Sequence, residues 1–301
     1  MVDARVKAGA VAALVVNAFV WGVSWWPFRA LQEHGLHPLW STALIYFAAF
    51  AALSLRPRAL AELLRTPALW LLAVAAGLTN VGFNWAVTIG DVVRVVLLFY
   101  LMPAWSLLIA WPVLGERPTT AGLLRLLLAL AGVAIVLDPA GGGLPWPRSL
   151  AEWLALAGGA SFALTNVLLR RLDQVSSGSR VLAMFGGGMV MAGAVALVGG
   201  LQGAVPAPSM PGLGGALLAL LLAAGFLAAN LALQYGASRL PAHTTALVML
   251  SEVLFASLSS VALGAAEPGG RTLAGGALII AAAAWSAWPR KAERSGAQSM
   301  P

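Results

Sequence analysis

The 301 residues are 60% hydrophobic and only 10% charged, with a net charge of +7, three histidines and no cysteine. An ordinary soluble domain carries about 25% charged residues, so this chain cannot cover a water-soluble surface of its own. Disulfides and thiolate metal sites are excluded by composition, and no two of His34, His37 and His243 stand at the i, i+4 ligand spacing, so neither a metal nor another cofactor is expected.

A helix that crosses a bilayer needs about 20 mostly apolar residues. Ten such stretches follow one another, at 8–28, 38–55, 68–89, 92–114, 120–137, 150–169, 180–201, 212–235, 242–264 and 271–288. The first begins after Arg5 and Lys7 and runs into Trp25-Trp26-Pro27 with no small-residue cleavage site, the pattern of a span and not of a leader. Between the fifth and sixth stretches lies a Gly/Pro-rich linker, 138–149, which cannot sustain a helix. The organisation expected is a five-helix unit over 1–137, the linker, a second five-helix unit over 150–290, and a tail over 291–301.

Alternate connections differ in charge. Of the 18 Lys and Arg, 14 fall on the side that holds both termini, while Arg29, Arg94, Arg148 and Arg271 fall on the other. Positive connections stay in the cytoplasm, so both termini are expected there. Basic residues standing singly or in pairs between apolar runs are loop anchors, not a nucleic-acid surface. The halves also echo each other. Trp21-Gly22-Val23-Ser24 through Arg29-Ala30-Leu31 aligns with Phe162-Ala163-Leu164-Thr165 through Arg170-Arg171-Leu172, and Leu114-Gly115-Glu116-Arg117-Pro118 resembles Ala265-Ala266-Glu267-Pro268. Because five is odd, a repeated five-helix unit enters the membrane from opposite sides. The fold class expected is therefore all-α integral membrane, ten transmembrane helices in two inverted five-helix repeats, an arrangement used by secondary transporters with a solute site at the interface of the halves.

Polar side chains in apolar helices mark the face turned away from lipid. In the first helix Asn17, Trp21, Ser24, Trp25 and Phe28 form one stripe at helical spacing. The third helix carries Asn80, Asn84 and Thr88 with Phe83 between them, and the eighth carries Phe226, Asn230 and Gln234. The fourth adds Trp105, the sixth Phe162 and Asn166, and the ninth Ser251, Glu252 and Phe255. Each Asn fits two roles, a hydrogen bond between helices or a contact to solute. Trp40, Trp70, Trp146, Trp153, Trp285 and Trp288 stand near helix ends as interface anchors, whereas Trp21 and Trp105 sit too deep for that. Glu252 is the one carboxylate well inside a span, a proton carrier or countercharge by default, or else a structural hydrogen bond at a helix break. Asp91 and Arg94, at i, i+3, are expected to form a rim ion pair. Gly158-Gly159, Gly199-Gly200 and Gly275-Gly276 permit close packing, and Gly186-Gly187-Gly188 lacks the context of a phosphate loop.

Trp21-Gly22-Val23-Ser24 in the first helix, Pro103 in the fourth, and Leu114-Gly115-Glu116-Arg117-Pro118 before the Gly132-containing fifth helix resemble the EamA-type drug/metabolite transporters. In the second half Ser251-Glu252-Val253 stands where that family usually has Glu-Pro, and Glu267-Pro268 keeps the end of the helix. Within the superfamily the Trp-rich first helix and Phe99-Tyr100-Leu101-Met102-Pro103-Ala104-Trp105 are similar to the YddG-like aromatic amino-acid exporters. The resemblance implies ten helices, a central cavity and a bacterial cytoplasmic membrane location. The site expected comprises Trp21, Ser24, Trp25, Asn80, Phe83, Asn84, Trp105, Phe162, Asn166, Asn230 and Glu252, with an aromatic or other hydrophobic amino acid as cargo and no bond made or broken. Exporters of drugs, cations or nucleosides on the same fold are the alternative. A membrane enzyme would need clustered His, Asp or Glu, and none is present; a helical scaffold is the remaining rival. The partners expected are a small solute and lipid, and the chain is compatible with a monomer.

Overall fold

The computed structural model describes residues 4–55, 57–115, 119–137, 146–209, 212–237, 239–240, 245 and 248–287, and every regular element among them is helical. The Glu116-Arg117-Pro118 segment, most of the 138–149 linker, His243, Trp288 and the 291–301 tail lie outside the described residues.

Helices α1 (Ala4–Val23) and α2 (Trp25–Glu33) make one long segment interrupted at Ser24. There the hydroxyl donates to the Trp21 carbonyl at 2.8 Å, a local side-chain bond that competes with the helix ladder. Pro38 opens α3 (Pro38–Ser54), where its missing N–H costs nothing. A turn of 110° then leads into the short, strongly amphipathic α4 (Pro57–Arg65). After α5 (Pro67–Ile89) the fourth stretch is divided into α6 (Val92–Phe99) and α7 (Met102–Leu114), and α8 (Thr120–Leu137) follows. The second half holds α9 (Leu150–Arg171), α10 (Ser177–Leu201), α11 (Leu213–Ala237), α12 (Ser251–Ala262) and α13 (Gly270–Ala287).

Seven segments among the described residues are long and apolar enough to cross a bilayer, and α3 with α4 would make an eighth if the bent pair were one span. Helix α12 and the Gly270–Trp285 part of α13 are apolar but shorter. Each of the ten apolar stretches read from the sequence thus contains a helix, yet the second and ninth fall below the length expected. The second loses length to the bend before α4, and part of the ninth lies outside the described residues. Phe47, Trp70, Trp111, Leu127, Leu221 and Leu258 are all exposed. Apolar surface on that scale is rare on a soluble protein and suits a lipid-covered one.

The packing crosses between halves. Helix α5 lies against α9 and α10, and α11 lies against α1 and α3. Helix α12 packs on α1, as α6 and α7 pack on α9. Where α8 meets α13 the contact is reciprocal: a Cβ on Gly132 would stand 2.6 Å from the Gly275 carbonyl, and a Cβ on Gly275 would stand 2.6 Å from the Gly132 carbonyl. The small residues allow the backbones to touch, as expected in membranes.

Two helix breaks match in register. Leu101 and Leu250 are the N-cap residues of α7 and α12, both in right-handed conformation. Fourteen residues after each stands a left-handed glycine, Gly115 with φ 72° and Gly264 with φ 66°. Glycine adopts that φ without the steric cost of a Cβ.

Candidate functional site

The deep aromatic residues meet in one chain of rings. Trp21 stacks on Phe226 with centroids 4.4 Å apart and meets Phe83 edge-on at 6.3 Å. Phe83 contacts Phe99 at 4.8 Å, and Phe99 contacts Phe162 at 5.5 Å. Phe226 also contacts Tyr46 at 5.9 Å and Phe28 at 6.1 Å. The helical spacing of Trp21, Trp25 and Phe28 turns all three toward this interior, where Trp25 and Phe28 are buried. Such ring pairs contribute about 1 kcal/mol each beyond the area they bury. Trp105 packs against the same cluster as Trp25, Phe83 and Phe99. Its indole Nε1 is buried without a hydrogen-bond partner among the described residues.

The amides divide. Asn80 accepts from the Tyr46 hydroxyl and donates to the Ala76 carbonyl at 2.7 Å. Asn84 donates to Thr42 Oγ1 at 3.2 Å, while its own oxygen is buried with no partner. The amide stripe of α5 therefore faces α3 within the first half, in the interhelical role. Asn17 donates to the Ala229 carbonyl at 2.8 Å, joining α1 to α11, and its oxygen is likewise unpartnered. Asn230 accepts from Gln234 on its own helix at 3.3 Å. Asn166 is half-buried and makes no hydrogen bond to a described residue. The Ser24 hydroxyl is committed to the Trp21 carbonyl, and Trp25 Nε1 donates to Ser259 Oγ at 2.9 Å, tying α2 to α12.

Of the expected residues, Trp21, Trp25, Phe83, Trp105 and Phe162 come together around one core, whereas Asn80, Asn84 and Asn230 turn to helix partners. The sequence reading left out Phe226, Tyr46, Phe99 and Tyr100 from the site. A signal for the two tyrosines existed, because a phenol inside an apolar run needs a partner.

Glu252 is 8% exposed. Its Oε2 accepts from Tyr100 Oη at 2.9 Å, and the same phenol lies 3.0 Å from the Met249 carbonyl. The break before α7 therefore touches the break before α12. Ser251 Oγ donates to the Val248 carbonyl at 2.7 Å. On the first break, the Phe99 carbonyl would stand 2.6 Å from a Cβ placed on Gly159. Pro103 carries no N–H to bond that carbonyl, and bare glycine on α9 makes room for it.

At the weakly basic end of the helices, a cleft of about 590 Å³ is lined by Arg29, Gln32, Glu33, Thr88, Ile89, Gly90, Asp91 and Ala265. Arg29 donates to the carbonyls of Val87 and Gly90 at 3.2 and 2.5 Å and covers the Trp25 ring at 5.1 Å. The expected Asp91–Arg94 ion pair is not formed. Asp91 is an N-cap that accepts from the backbone N–H of Arg94 at 2.8 Å, while the guanidinium reaches Glu152 on α9 at 2.7 Å and the Leu137 carbonyl at 3.2 Å. Capping consumes the Asp91 carboxylate. Glu152, third in the capping box of α9, keeps an oxygen for Arg94.

Residues 8–138 match the model of the EamA-like transporter family. A solved structure described only as "Crystal structure of protein" is similar over 93% of this chain and 96% of its own, at 19% identity and a TM-score of 0.57. At that identity the likeness is one of fold. No curated protein matches the chain.

Proposed function

We propose, from the match of residues 8–138 to the EamA-like transporter family, that the chain is a secondary transporter exporting small amphipathic metabolites, aromatic or hydrophobic amino acids foremost, by alternating access at a central site. The observation that carries this reading is the run of rings drawn from both halves, Trp21–Phe226 and Phe83–Phe99–Phe162. Trp105 packs against this core with its indole Nε1 buried and unpartnered among the described residues. Indole and phenyl faces suit a planar apolar side chain, and the Trp105 N–H suits a polar group of the solute.

The finer architecture belongs to the same proposal: ten helices in two inverted five-helix repeats, both termini cytoplasmic, in a bacterial cytoplasmic membrane. It is supported by the exchange of packing partners between halves, by the reciprocal Gly132–Gly275 contact and by the matched breaks at Leu101 and Leu250. The Arg94–Glu152 ion pair, which bridges the halves at the weakly basic end, then serves as a tie that opens when that end opens.

Counterflow in proteoliposomes against a panel of labelled amino acids tests the cargo. Trp21→Ala and Trp105→Ala are expected to slow counterflow of aromatic amino acids about tenfold, the equivalent of about 1.4 kcal/mol. Unchanged counterflow in both folded variants would remove the site from the aromatic core.

A further inference from the structure

We propose that Glu252, Tyr100 and the Met249 carbonyl form a proton-binding site at the contact between the two helix breaks, taking a single proton from water. The inference deepens the transport reading by naming the ion that could be coupled to it, and it rests on that reading only for the coupling.

The argument is one of donors and acceptors. A tyrosine hydroxyl has one proton to give, and Tyr100 Oη lies within hydrogen-bond distance of two acceptors, Glu252 Oε2 at 2.9 Å and the Met249 carbonyl at 3.0 Å. While Glu252 is ionised, the phenol proton points to the carboxylate and the Met249 carbonyl goes without it. When Oε2 takes a proton, Glu252 becomes the donor to Tyr100 Oη, and the phenol proton turns to Met249. The balance is one proton from water to Oε2, with one O–H rotation and no other bond changed. Release reverses both.

The surroundings favour the exchange. Helices α1 and α6 pack on α12. On α1 the described titratable side chain is Lys7, exposed near the opposite end of the helix from Gly22, which touches α12. On α6, Arg94 is bound to Glu152 and the Leu137 carbonyl, and Asp91 caps the helix. Arg29 on α2 is bound to the Val87 and Gly90 carbonyls. Among the described residues Tyr100 is therefore the titratable group that faces the carboxyl, and no cation pairs with it. An ionised carboxylate in that setting lacks a countercharge. Because Met249 precedes the N-cap of α12, the proton's position decides whether a carbonyl at the break is satisfied, which links occupancy to the hinge of the helix.

Infrared spectra of the whole chain in lipid nanodiscs, followed through a pH titration without any solute, test the site. Wild type is expected to show a carboxylic-acid carbonyl band that titrates and that shifts when glutamate is supplied as the carbon-13 form. Glu252→Gln should lose that band, and Tyr100→Phe should keep its amplitude but move its frequency. A band unchanged in Glu252→Gln overturns the proposal. Should that variant fail to fold, an unshifted band in Tyr100→Phe overturns it equally. Because no solute is present, this result is read separately from wild-type counterflow, on which the transport reading stands or falls.

Discussion

The breaks before α7 and α12 share a backbone course and differ in what holds them open. At the first, Pro103 removes a donor by covalent structure, and Gly159 accommodates the carbonyl left over. At the second, Val253 stands near the position where a proline was expected, and the break is held by exchangeable hydrogen bonds from the Ser251 hydroxyl and the Tyr100 phenol. The first break is therefore permanent. The second depends on side chains whose protons can move, one of them supplied by the other half of the molecule.

The largest effect that would sharpen this contrast comes from filling the two backbone approaches. Gly159→Ala puts a Cβ against the Phe99 carbonyl, and Gly22→Ala puts one 2.8 Å from the Glu252 carbonyl and 2.7 Å from Phe255 Cβ. Each should cost about 2–3 kcal/mol, read as a lowered midpoint of thermal unfolding in detergent. Equal tolerance of both would show that neither break is tightly seated. Next in size is Glu152→Gln, which preserves the capping box but leaves Arg94 without its charge partner. Partial exposure of the pair reduces the expected loss to about 2 kcal/mol. A double variant with Arg94→Gln should lose less than the sum of the single changes, and strict additivity would dissolve the tie between halves.

Ser251→Ala removes one hydrogen bond at the second break and should cost about 1 kcal/mol, while Pro103→Ala, which restores a donor at the first, should leave stability nearly unchanged and slow counterflow. If Pro103→Ala proved the more destabilising, the assignment of covalent and exchangeable breaks would be reversed. The smallest effect lies away from both. Glu62 on α4 accepts from Ser176 Oγ at 2.5 Å and Ser179 Oγ at 2.6 Å, and these hydrogen bonds hold its carboxyl below the usual carboxylate range. Its contribution to anchoring α10 is present at neutral pH and is lost as pH falls through that lowered value. Glu62→Gln should therefore flatten only the acidic limb of the stability profile.

Much of the helical layout was readable because bilayer thickness imposes a length of apolar chain, and each of the ten stretches contains a helix. The inward face of Trp21, Trp25 and Phe28 was readable for a related reason: helical periodicity places those positions on one stripe whatever the neighbours are. The partners of the amides were not. Asn80 and Asn84 bond to Tyr46 and Thr42 because α5 is rotated toward α3, and rotation about a helix axis is set by packing, not by spacing along the chain.

The sequence by itself determined that this protein is helical and apolar enough for lipid, which residues share a helix face, and where glycine and proline interrupt the regular runs, since these follow from local sterics and hydropathy. Only the tertiary structure decided that Arg94 pairs with Glu152 and not Asp91, and that Tyr100 reaches Glu252 across 152 residues of chain. Those choices depend on which helices stand side by side, and a hydrogen bond or ion pair acts over a few ångströms of space regardless of separation in sequence.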